Sequence, residues 1–102
     1  MDAYALDKLT TFSKESYTKH VFFELGKFRA QVMGLEAGQE IPPCRMEHDV
    51  IFVVLDGQGV ILVDGEEQLV GKSALVFVPK ERETRSIKAM TKMSLLAVQI
   101  RS

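Results

Sequence analysis

The chain has a single cysteine, Cys44, among its 102 residues. One thiol cannot form an internal disulfide, which fits a reducing compartment, and the cytoplasm is the expected location. Runs of cationic residues are also missing. Thirteen Lys and Arg stand against fourteen Asp and Glu, the formal charge is −1, and no basic cluster stands on its own. The electrostatic footprint of a nucleic-acid binder is therefore absent. The longest apolar run is VIFVVL at 50–55, strand length and far below the roughly 20 residues of a membrane helix. The opening MDAYALDKLTTF carries an acid at Asp2 and no basic-then-apolar order, so it does not read as a secretory signal. Neither nucleic acid nor a membrane is expected as a partner. No internal repeat, low-complexity tract or linker divides the chain, and its length and 46% hydrophobic content suit one domain over 1–102.

What is present is a period of two. From about residue 19 apolar and polar residues alternate between closely spaced turn signals, which predicts an all-β fold. The expected strands are 19–24, 27–35, 40–43, 49–55, 59–63, 66–70, 74–78, 84–88 and 93–100. Asp64-Gly65, between VILV and EEQLV, predicts a two-residue hairpin, because both central positions of a type I′ turn need positive φ. Residues 1–17 have no clear period and read as an N-terminal arm or a short helical turn. Many short antiparallel strands must hide their edges, and closing into a small β-barrel or double-sheet jelly roll does so.

Two stretches carry a resemblance to a known family. Gly38, five residues, Cys44-Arg45-Met46, three residues, Val50, six residues and Gly57 keep the spacing of the first motif of the cupin superfamily, whose ligands are His-x-His and Glu. The segment SALVFVPKERET is similar to the second motif, with Ser73 and Glu81 standing for its glycines, Pro79 for its proline and Thr84 for its His. The likeness spans roughly 18–100 and points to small single-domain cupins. It implies a barrel of two antiparallel sheets, with dimers common. Members with the full set hold a divalent ion on three imidazoles and a carboxylate; here every ligand position is changed. Val50 removes the carboxylate, Thr84 offers a weak neutral oxygen and Met46 a thioether, so no metal cofactor is expected.

Softer alternatives are weighed on the same residues. Cys44, Met46 and His48 share strand parity and would suit copper(I), another transition metal being a lesser variant. Along a regular strand, however, His48 lies about 13 Å from Cys44. The same distance opposes a Cys44–His48 nucleophile pair. The resemblance places Cys44, Met46, Val50 and Thr84 at inherited ligand positions, and with His48 and Phe52 they are read as the lining of a ligand pocket. In PKERETRS, 79–86, Arg82 and Arg85 are candidate contacts for a carboxylate or phosphate, because the planar guanidinium matches both anions. A solvated loop with mutually paired charges is the plainer reading.

The function expected from these residues is metal-independent binding or sensing of a small organic ligand by a homodimer. The apolar segments HVFFE and MSLLAVQI supply the argument for the dimer. A metal-free isomerase- or epimerase-like enzyme using Glu81, Arg82 or His48 for proton transfer, a metalloenzyme with an atypical soft-ligand Cys/Met/His site, and a structural or regulatory dimer with a filled barrel are the alternatives. The family does not choose among them, since function lives in the site.

Overall fold

The computed structural model describes residues 1–44, 47–81 and 84–101. A one-turn helix, α1 (Leu6–Leu9), precedes nine strands: β1 (Thr18–Leu25), β2 (Phe28–Leu35), β3 (Glu40–Cys44), β4 (Asp49–Asp56), β5 (Gln58–Val63), β6 (Glu66–Gly71), β7 (Leu75–Val78), β8 (Arg85–Ala89) and β9 (Met93–Ile100). Each expected strand is found, with ends moved by at most one residue. The strands form a five-stranded sheet in the order β1-β2-β9-β4-β7 and a four-stranded sheet in the order β3-β8-β5-β6. All pairings are antiparallel. This is the double-sheet jelly roll that the alternation predicts.

Local chemistry explains the turns. Asp64 and Gly65 both adopt positive φ, 48° and 82°, and join Val63 to its partner Glu66, as a two-residue type I′ hairpin requires. The Asp64 side chain then ties this hairpin to the start of the neighbouring strand β8. Its Oδ1 accepts from Thr84 N–H at 2.8 Å, while Asp64 N–H donates to the Thr84 carbonyl at 3.2 Å. Gly57, at φ 85° between β4 and β5, is crowded by the Lys92 carbonyl where a Cβ would stand. Only glycine satisfies both conditions without strain.

The core lies between the two sheets. Met33, Leu35, Val50, Phe52, Val54, Leu95 and Ala97 face Ile41, Ile61, Val70, Ile87 and Ala89 across it. The N-terminal arm is both a helical turn and a strap. Thr18 Oγ1 donates to the Thr11 carbonyl at 2.5 Å, Gln39 Nε2 to the Ser13 carbonyl at 2.7 Å, and Tyr4 stacks on Phe22 with centroids 5.0 Å apart. No helix among the described residues is long and apolar enough to cross a membrane.

Candidate ligand-binding site

Period-two geometry aims alternate residues of β2, β4 and β9 at the barrel interior. Ladder register then stacks them in rows: Gln99 beside Val50, Gln31 and Phe52 on either side of Ala97, and Met33 and Val54 on either side of Leu95. From the facing sheet β8 contributes Arg85 and Ile87. Between the sheets these rows leave a cavity of about 120 Å³. Gln31, Met33, Val50, Phe52, Ala97 and Gln99 form one wall; Ile41, Cys44, Arg85, Ser86 and Ile87 form the other, with Tyr17 and Lys19 beside them.

Cys44 reaches this cavity because β3 is irregular. Ile41 pairs with Ile87 and Cys44 with Arg85, so three steps on β3 match two on β8. A strand without that extra residue would turn Cys44 to the opposite face from Ile41. The irregularity falls at Pro42-Pro43, and β3 is a sheet edge, where a residue lacking an N–H is tolerated.

Arg85 is the unusual member of the lining. Only 3% of its surface is exposed, and its Nη2 donates to the His48 carbonyl at 3.4 Å, bridging the start of β8 to the start of β4. Burial pushes its pKa below the ordinary arginine value, and the charges of Cys44, Asp49 and Asp64 work in the opposite direction. A guanidinium keeps its proton in proteins, so the cavity wall carries a permanent positive charge. Gln31 and Gln99, each 8% exposed, add buried amides on the facing wall.

The residues expected to line the pocket divide in three. Cys44, Val50 and Phe52 do line it. His48 and Thr84 do not: His48 is half-buried and gives its carbonyl to Arg85, while Thr84 is exposed. The inward series on β8 is Arg85, Ile87 and Ala89, all buried, and a shift of one residue along a strand reverses the face. That corrects the placement of Thr84 as an interior group. Met46 and Arg82 lie outside the described residues. Arg85 is the buried first residue of β8 rather than part of a solvated loop, which corrects the plainer reading of PKERETRS at its Arg85-Ser86 end. Gln31, Gln99, Tyr17 and Lys19 were not anticipated. For the two glutamines the signal was available: each shares core parity with apolar neighbours, Met33 and Leu35 or Leu95 and Ala97, and a polar residue in such a series is the informative one.

The cavity does not suit the divalent ion that the fold family commonly holds. At its inward positions Val50 offers no donor atom, and Arg85 would repel a dication within the same small space. Among the described residues no three His, Cys, Asp or Glu side chains gather into a metal-binding group.

No protein-family model matches the chain, and no curated protein matches its sequence. Solved structures do match its shape. A Thermus thermophilus protein superposes with a TM-score of 0.90 at 22% identity, covering 99% of this chain and 98% of the other. An RmlC-like cupin protein from Desulfovibrio desulfuricans gives 0.87 at 23% identity, covering 98% and 96%. Salicylate 1,2-dioxygenase from Pseudoaminobacter salicylatoxidans, in its G106A variant, gives 0.79 at 18% identity over 92% of this chain but only 29% of its own. Such similarity, with the two-sheet topology, establishes that this chain has the fold of a small cupin-superfamily domain.

Proposed function

We propose that the barrel interior binds a small organic ligand without a metal ion, and that the protein acts as a binding or sensing module. The observation that carries this reading is the cavity itself, an apolar wall set with a few buried polar groups, which is the usual composition of a small-molecule site. Open volume between the sheets favours a ligand over a filled core. An enzymatic reading has less support, because Glu81 is exposed and His48 contributes a main-chain carbonyl rather than its ring. A cytoplasmic homodimer completes the proposal.

Metal analysis and ligand screening test it together. Protein purified without added metal is expected to hold less than about 0.2 equivalents of transition metal, since among the described residues no His, Asp or Glu lines the cavity. A small-molecule panel is expected to contain compounds that raise the melting temperature in proportion to their concentration, as binding to the folded state alone requires. Near-stoichiometric Fe, Mn, Ni or Zn that survives dialysis and leaves on Cys44→Ser substitution would overturn the metal-free reading.

A further inference from the structure

The interior is polarised from one end to the other. Along the five-stranded sheet the rows run from Gln99 and Val50, through Gln31 and Phe52, to Met33 and Leu95. On the facing strand the order is Arg85, Ile87 and Ala89. The end next to His48 therefore holds a buried guanidinium and the nearer of two buried amides, and the buried side chains of the other end are hydrocarbon, with the exposed Lys19 beside Met33 at its rim. Among the described residues the lining includes two cationic side chains, Arg85 and Lys19, and no Asp or Glu. A cationic guest is repelled by this charge, and a neutral acceptor does not form an ion pair with it. An anion does, and a charge-assisted hydrogen bond is about twice as strong as a neutral one.

From this we infer that the ligand of the interior site is a small organic monocarboxylate, its carboxylate on Arg85 and Gln99 and its apolar body against Phe52, Met33 and Ile87. The inference rests on the metal-free binding reading above and narrows its ligand class. One deeply buried guanidinium matches one carboxylate, since two parallel N–H groups meet two oxygens. A phosphate monoester, with a charge near −2 and three acceptor oxygens, would need more donors than this wall supplies. Size sets the other limit. A cavity of about 120 Å³ resembles the roughly 150 Å³ hydrocarbon cavity that accommodates benzene, so the body is one ring or a short chain.

Matched pairs of acids and amides test the class on the unaltered protein. Benzoate and cyclohexanecarboxylate are compared with benzamide and cyclohexanecarboxamide by calorimetry and melting temperature, and inorganic phosphate serves as an anion without a body. The acids are expected to bind at least about tenfold more tightly than their amides, as the loss of a charged hydrogen-bond partner implies. Phosphate is expected to bind more weakly than either acid. Cys44, the only cysteine, is exposed and lines the same cavity, so bound acid should slow its alkylation by iodoacetamide, while the amide at the same sub-saturating concentration protects far less. Arg85→Gln should bring acid and amide to near parity; if that variant does not fold, the alkylation pairs on the unaltered chain decide alone. Amides that bind and protect as well as acids would overturn the carboxylate class and leave the metal-free pocket standing. Failure of every compound to bind, together with bound transition metal, would overturn both.

Discussion

A single buried side chain at the centre of the apolar wall, Phe52, shows what the interior costs to change. It is 6% exposed and belongs to the core cluster. Phe52→Ala should lose about 3–5 kcal/mol of stability through transferred surface and the void left behind, read as a lower urea midpoint at unchanged slope. Arg85 behaves differently. Its pKa is lowered by burial, so the unfolded chain holds this proton more tightly than the folded one. Stability linked to Arg85 would therefore rise with pH, but only where the group begins to lose its proton, far above neutrality. Between about pH 6 and 9 it is charged in both states, and Arg85 should add no slope to the stability curve. Comparing those curves for the parent and Arg85→Gln proteins checks this, the expected difference being an offset without a change of slope.

At the scale of elements, the Asp64-Gly65 hairpin does more than reverse the chain. Its reciprocal bonds with Thr84 fix the residue just before Arg85 and so help hold the start of β8 in register. Asp64→Ala removes the side-chain half of that link and is expected to cost about 1–2 kcal/mol, measurable by chemical denaturation. Gly57→Ala should cost about 1–3 kcal/mol at the β4–β5 turn, where positive φ and the Lys92 carbonyl both oppose a Cβ. Retained melting temperature in the Gly57 variant would mean that this turn relaxes freely.

For the whole molecule, the outer face of the five-stranded sheet is the feature still to be covered. Register places Val53 beside both Leu75 and Leu96, and Ile51 beside both Phe77 and Val98, so one apolar surface runs from β9 through β4 to the sheet edge. Leu75 and Phe77 are 63% and 54% exposed. An apolar edge strand left open invites association, and the proposed homodimer would bury it. Sedimentation should give twice the chain mass of 11.4 kDa at tens of micromolar, and Phe77→Lys should shift it toward the monomer. A parent protein that sediments as a monomer refutes the dimer.

Much of the fold was legible in the sequence because it is written in local chemistry. A side-chain period of two marks each strand, a DG pair marks the hairpin, and the parity of Val50, Phe52 and Val54 marks the face that is buried. These signals act within a few residues and need no partner. The spacing from Gly38 through Cys44 and Val50 to Gly57 likewise carried the family resemblance, and Cys44 and Val50 do share one cavity. The composition of the site depended on tertiary structure. Arg85 rather than Thr84 faces inward because β8 pairs in one register and not in the neighbouring one, and Cys44 joins it because β3 gains a residue at Pro42-Pro43. Gln31, Arg85 and Gln99 come from β2, β8 and β9, in two different sheets. Alternation shows that such residues share a parity, but it leaves open which strands lie opposite. That choice is made when the two sheets pack, because only then does a buried guanidinium find itself across a small cavity from two amides.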